Sequence, residues 1–379
     1  MNRPLTGLLP MLSALLLHTH AGTAQTTVNP DLSVIPRFLL TTDDGGHLSE
    51  GTRSFSRPEL AFEELEVVLA GYQNPYARAD VVLSIPGPDL EHATLALEEV
   101  YGTILRGLPL DVNLRFGKYR AEFGKLNVVH PHAWPFVTQP LVQERFLGED
   151  GLNDLGLSLS ALLPTGDVYT RLTVDLLRGL WIPAAAGMKD TSGAPTYYGL
   201  SSRLMAFFTL GDESDIETGF STTTGIHDPV ARERFWYFNL DAKYKYAPSS
   251  YTSLTLQGEC LLNTRRAVRD AEGTMFVDPQ GMEETRTITT WGLYLYADLR
   301  FLKVFSIGAR YDHAESPYSS DDRARAAALF LGYYPVEETL GLRLHYQNTT
   351  TQSPGVLTSV NFIGLQALMS LGPHKAHTF

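Results

Sequence analysis

Between Phe235 and Tyr246, hydrophobic and polar positions alternate with a period of two. Trp236, Phe238, Leu240, Ala242, Tyr244 and Tyr246 share one face, and Phe235, Tyr237, Asn239, Asp241, Lys243 and Lys245 share the other, as on the two sides of a β-strand. The apolar face carries aromatics at both ends and aliphatic or small residues between them. Fully extended, Trp236 to Tyr246 covers roughly 33 Å. Tilted by about 40°, such a strand spans about 25 Å, the height of the apolar band on a transmembrane barrel. The pattern recurs. Trp291, Leu293, Leu295, Ala297, Leu299 and Phe301 alternate with Gly292, Tyr294, Tyr296, Asp298 and Arg300, and Leu340, Leu342, Leu344 and Tyr346 alternate with Gly341, Arg343, His345 and Gln347.

Extended along the chain, the pattern predicts an all-β fold, a transmembrane antiparallel up-and-down β-barrel of about sixteen strands. The strands are expected near Asp31–Leu40, Leu60–Ala70, Ala77–Ile85, Leu95–Ile104, Leu110–Gly117, Leu155–Leu163, Tyr169–Arg178 and Tyr198–Leu210. Eight more are expected near Asp215–Gly225, Phe235–Tyr246, Ser253–Asn263, Thr287–Phe301, Val304–Asp312, Arg325–Tyr334, Thr339–Gln347 and Ser359–Leu371. Pro36 and the Glu63–Glu66 run weaken the first two, because proline removes a ladder donor and carboxylates suit an apolar wall badly. Without those two, a fourteen-stranded barrel is the alternative. Links such as Gly71–Tyr76, Pro164–Asp167, Gly211–Ser214 and Leu302-Lys303 are short, and longer ones are expected after every odd-numbered strand. Short periplasmic turns opposite longer extracellular loops would place both termini in the periplasm.

Composition narrows the class. The chain has 379 residues with 18 Tyr and 18 Phe, and its formal charge of −12 argues against nucleic acid as a partner. Beyond the N-terminus no run approaches the 18 or so apolar residues of a membrane helix. Residues 1–24 read as a signal peptide, with Arg3, the apolar stretch Leu8–Leu17 and the small residues Gly22-Thr23-Ala24 before Gln25. Residues 25–379 then form one domain. Cys260 is the single cysteine, so no internal disulfide exists; it falls on the apolar side of its strand beside Leu254, Leu256 and Leu262.

Two segments resemble a known group. The block from Gly117 to Pro164, GKYRAEFGKLNVVHPHAWPFVTQPLVQERFLGEDGLNDLGLSLSALLP, and the ending LGPHKAHTF look like those of Gram-negative porin-like outer-membrane proteins. These are similar in style to the phosphate-selective porins O and P, and some carry the label of zinc-regulated TonB-dependent receptor. The resemblance implies an outer-membrane barrel in contact with lipid and lipopolysaccharide. It also implies insertion by the barrel-assembly machinery through a terminal aromatic such as Phe379, although Gly372-Pro373 ends the strand before that residue. A trimer is expected by the same analogy. A receptor of the TonB-dependent kind would need a plug and a 22-stranded barrel, more than this length is expected to supply.

The candidate chemistry is that of a pore. A barrel of this size encloses water. The longest link, 117–154, is implied by the resemblance to fold inward as the constriction, offering Lys118, Arg120, Lys125 and Arg145 against Glu122, Glu144, Glu149 and Asp150. Alternation puts Arg78, Arg115, Arg171, Arg203, Lys243, Lys245, Arg300, Arg310 and Arg343 on the inner wall. Asp80, Asp111, Asp175, Glu217, Asp241, Asp298 and Asp312 are expected to join them. With both signs present, a count gives no ion preference, and many of these groups are expected to pair across strands. His130-Pro131-His132 is the one stretch suggestive of metal, with Glu122 or Asp154 as possible completing ligands. The preferred reading packs both histidines beside Trp134 and Phe136 in a loop core, so no metal or other cofactor is assigned. No nucleophile elbow or phosphate-cradling loop is present, and no enzymatic activity is expected. The reading is a porin passing small hydrophilic solutes or ions, with a gated metal-ion or oxyanion channel and a non-conducting adhesive barrel as alternatives.

Overall fold

The computed structural model describes residues 30–45, 55–87, 93–182, 197–336 and 339–372. The expected signal peptide and Phe379 lie outside the described residues. Sixteen antiparallel strands close into one barrel, each bonded to its neighbours in sequence and the first to the last. They are β1 (Asp31–Asp43), β2 (Glu59–Asn74), β3 (Ala77–Pro86), β4 (Ala96–Ile104), β5 (Asn113–Arg120), β6 (Asn153–Leu163), β7 (Tyr169–Leu177) and β8 (Gly199–Thr209). The second half comprises β9 (Ser214–Asp228), β10 (Glu233–Ser249), β11 (Thr252–Ala267), β12 (Arg286–Phe301), β13 (Phe305–Ser316), β14 (Ser319–Val336), β15 (Leu340–Ser353) and β16 (Val356–Met369). Every predicted strand is present, including the two weakened by Pro36 and the glutamate run.

The faces follow the predicted alternation. Trp236, Leu240 and Tyr246 of β10 are exposed, while Phe235, Tyr237, Asn239 and Asp241 are buried. The same holds on β12, where Trp291, Leu295 and Leu299 point out and Tyr294, Tyr296 and Asp298 point in. An exposed apolar belt of this kind recurs on β6, β7, β14 and β15. Such a surface needs lipid rather than water. Stacked rings of Phe301, Phe305 and Tyr333 border it at one end. The described residues contain no helix long and apolar enough to cross a membrane.

Two features depart from expectation. The long–short parity of links fails in the second half. β9 and β10 are joined across Val230 by a tight turn, β13 and β14 by Pro317-Tyr318, and β15 and β16 by Pro354-Gly355. The polar stretches that look like loops, Asn348–Ser353 for example, continue the ladder beyond the apolar belt, paired residue by residue with Val356–Asn361. The second departure is at Asp111. It sits in a short helical turn, Pro109–Asp111, with φ of 50° instead of on the inner wall, because β5 begins only at Asn113.

Register slips explain how the early strands tolerate their glutamates. Arg37 pairs with Glu64 but Phe38 with Phe62, which leaves Glu63 as an extra residue on β2. Val82 pairs with Glu99 but Leu83 with Leu97, which leaves Glu98 extra on β4. A bulge breaks strict alternation and re-aims a side chain. Without it, one glutamate of each adjacent pair would face lipid.

Candidate functional site

The segment between β5 and β6 lies inside the barrel. Ala121, Phe123, Phe136, Phe146 and Leu152 are fully buried, although they belong to the longest link in the chain. Asn127 closes its neck: the side-chain amide donates to the carbonyls of Ala121 (2.8 Å) and Leu152 (3.1 Å) and accepts from the Leu152 amide (2.8 Å). The segment contains a 3-10 turn, Pro131–Ala133, and a short α-helix, α1 (Leu141–Leu147), whose Val142 and Phe146 join a cluster with Tyr237, Tyr294 and Leu261 of the wall. Phe136 packs edge-on against Tyr296 and Phe330.

Polar anchors attach this segment to strands on opposite sides of the barrel. On the β9–β11 side, Glu259 accepts from the backbone amides of Lys125 (3.1 Å) and Leu126 (2.7 Å) and from Gln143 (3.2 Å). The wall residues Asn239 (3.0 Å) and Tyr294 (2.8 Å) donate to the same carboxylate. The Gly124 amide donates to Ser221 at 3.0 Å, and Lys125 Nζ to Glu217 at 2.6 Å. Gly124 has φ of 68°, and a Cβ there would collide with the Glu259 carboxylate, so glycine is required by both conformation and space. Farther round, Arg310 pairs with Asp312 at 2.8 Å, both wholly buried, and donates to the Thr138 carbonyl at 2.6 Å. Arg343 donates to the His132 carbonyl at 2.7 Å.

The opposite side is built differently. His130 Nε2 lies 2.8 Å from Glu99, and its Nδ1 lies 3.3 Å from Glu66 and 3.5 Å from Glu98. His132 Nδ1 is 3.1 Å from Glu66, and the two imidazoles stack at 5.9 Å. Arg120 approaches Glu98 and Glu99 loosely, at 3.6 and 3.9 Å. Burial, the largest single influence, and the nearby Arg120 lower the His130 pKa, but the charge and hydrogen bonding of Glu66 together with the Glu99 hydrogen bond outweigh them and push it up to about 10. The histidines are therefore not part of the apolar loop core formed by Trp134 and Phe136; they face a carboxylate cluster. The expected completing ligands do not converge there. Glu122 pairs with Arg171 at 2.8 Å, and Asp154 caps the amides of Gly179 (2.6 Å) and Leu180 (2.9 Å).

The remaining candidates divide. Arg120, Glu122 and Lys125 line a cavity of about 470 Å³ together with Arg115, Arg171, Arg203 and Lys243 of the wall. Glu66, Asp80, Glu99 and Glu217 supply its negative charge. Lys118 is elsewhere: it sits on β5 between the inward Gly117 and Tyr119, on the face of the exposed Phe116, and donates to the Leu97 carbonyl at 2.7 Å. Glu144, Glu149 and Asp150 are exposed, and Arg145 pairs with Asp322 at 3.3 Å. On the wall, Arg203 pairs with Asp241 and reaches Glu217. Arg300 lies 3.6 Å from Asp298 and over the Tyr334 ring, and Arg115 stacks on Tyr101 and Tyr119. Lys245 stays half-buried on β10. Sequence reasoning missed Glu66, Glu98, Glu99 and Glu259. The glutamate run was visible but could not be assigned an inward direction without the bulges.

A closed sixteen-strand antiparallel barrel with an apolar exterior, a polar interior and an inserted link between β5 and β6 is the porin type of barrel. The chain covers 90% of its length on the outer-membrane channel DcaP of Acinetobacter baumannii, with a TM-score of 0.59, 12% identity and 97% of that chain covered. It matches an anion-selective porin from Comamonas acidovorans with a TM-score of 0.56 and 8% identity over 90% of this chain and 99% of that one. Salmonella typhi OmpF in complex with daunomycin gives 0.55 and 10% identity, over 90% and 98%. An uncharacterized protein of Aquifex aeolicus is 30% identical over 237 residues, which cover 57% of this chain and 47% of the relative, so the match spans about half that protein's length. No family model matches the chain.

Proposed function

We propose that the protein is an outer-membrane diffusion channel for small hydrophilic solutes or ions, its lumen narrowed by residues 121–152. One observation carries the reading: the inserted segment is bonded to opposite sides of a polar-walled barrel and leaves beside it a cavity lined by both signs of charge. Charges opposed across a narrow aqueous passage act on permeating ions through a field that surrounding water does not screen fully. No group is assigned a catalytic role. The names of the structurally similar barrels, a channel and an anion-selective porin among them, support passage of solutes. A structure of Vibrio cholerae OmpT described as a trimer form supports a homotrimer, which native mass measurement would test. In this reading the ends of β1 and β16 face the periplasm, lipopolysaccharide surrounds the belt, and the barrel-assembly machinery inserts the chain.

Single-channel recording of refolded protein in a planar bilayer under a salt gradient tests the proposal. Ohmic steps are expected, and Lys243→Glu is expected to shift the reversal potential toward cation preference. Silence from demonstrably folded protein would reject free diffusion. It would favour a plugged barrel, a reading to which the buried aromatic core Phe123–Phe136–Phe146 lends weight.

A further inference from the structure

We infer that Glu66, Glu98 and His130 form a binding site for a first-row divalent metal ion of the zinc class, which fastens the inserted segment to β2 and β4. The three side chains come from two strands and the β5–β6 link, and one potential ligand atom from each lies within 4.8 Å of the other two. A tetrahedral ion bound at about 2.0–2.1 Å separates its ligand atoms by about 3.3–3.4 Å. His130 Nδ1 already lies 3.3 Å from Glu66 and 3.5 Å from Glu98. Rotation of the Glu98 carboxylate closes the third edge.

Spacing alone would also describe an ion pair; the arrangement around the ring adds what a ligand needs. Nδ1 of His130 is buried and faces both carboxylates at 3.3 and 3.5 Å without a well-aligned hydrogen bond to either. Its other nitrogen, Nε2, is held by Glu99 at 2.8 Å. A ligating histidine typically has its second nitrogen fixed by a carboxylate in this way, which orients the ring and raises its basicity. The bulge at Glu98 supplies one ligand and the orienting Glu99 from adjacent positions of a strand that would otherwise send one of them into lipid. The neighbouring cavity, lined by Glu66, His130 and His132, leaves room for a water or for His132 as a fourth ligand. Mixed imidazole and carboxylate donors favour zinc and its neighbours over calcium or magnesium. Arg120 is the competing cation, and its long contacts to Glu98 and Glu99 are the ones an ion would replace.

The inference requires the segment inside the barrel but not conduction, so it can hold in a barrel that passes no current. Full-length protein refolded in detergent, stripped with chelator and titrated with zinc chloride at pH 8 provides the test, with folding checked by heat-dependent gel mobility and circular dichroism. One zinc per chain is expected, undisturbed by excess calcium. His130→Ala and Glu98→Gln should each weaken binding at least tenfold, and Arg120→Gln should tighten it. Cobalt substitution should give the visible absorption of a four-coordinate site, lost in His130→Ala. The inference is overturned if the folded wild type holds no stoichiometric zinc, or if folded His130→Ala and Glu98→Gln bind it as the wild type does.

Discussion

The two sides of the barrel hold the same inserted segment by different chemistry. On the β9–β11 side, Glu259 gathers two backbone amides, two amide side chains and a phenol. On the β2–β4 side the anchor is an imidazole among glutamates, with an arginine at arm's length. The first arrangement specifies one geometry, since every buried donor must be matched. The second can exchange a proton, an arginine or a metal ion for one another. One side therefore fixes the position of the segment, and the other makes its attachment adjustable.

The contrast breaks first at Glu259. Glu259→Ala is expected to lower unfolding free energy by about 3 kcal/mol or more, because each buried donor left unmatched costs about 1–3 kcal/mol. Urea titration of protein folded into vesicles measures this, and a change below about 1 kcal/mol would remove Glu259 as the principal anchor. Gly124→Ala is expected to cost about 1–3 kcal/mol by forcing a Cβ into a left-handed position against Glu259, and to increase current noise as the segment loosens.

The adjustable side is sharpened by pH. His130 has its pKa raised in the folded protein from an ordinary 6.5 to about 10. Its contribution is therefore complete below pH 6.5, declines as pH rises, and is lost above about pH 10. With chelator present, fluctuation of the channel current should grow between pH 7 and pH 10 in the wild type and stay flat in His130→Gln; parallel profiles would refute the assignment. The smallest effect is expected at Arg145, whose pair with the half-exposed Asp322 is solvent-screened. Arg145→Ala should cost less than about 1 kcal/mol in the same urea titration. A larger loss would mean that the far end of the segment bears as much of the attachment as Glu259.

How much of this was legible without coordinates differs by residue. Trp236 and Asp241 could be assigned to opposite faces because a strand's period is local, and the two sit where the alternation puts them. Lys118 could not be separated from Arg120, because both are basic residues two positions apart on β5, yet only Arg120, at the strand's last position, lines the cavity. Links after β13 and β15 read as loops because polar ladders above the apolar belt carry no hydrophobic signal.

The sequence by itself determined the all-β barrel, the opposite faces of strands such as β10, β12 and β15, and the presence of one long link between β5 and β6; it left the strand number at sixteen or fourteen. Each depends on neighbours a few positions apart. Tertiary structure decided that Glu66 and Glu98 turn inward beside His130, that Glu259 receives the amides of Lys125 and Leu126, and that Glu122 and Asp154 do not join the histidines. Those pairings bring together residues far apart in the chain. They depend on one-residue bulges and barrel closure, which local patterning does not encode.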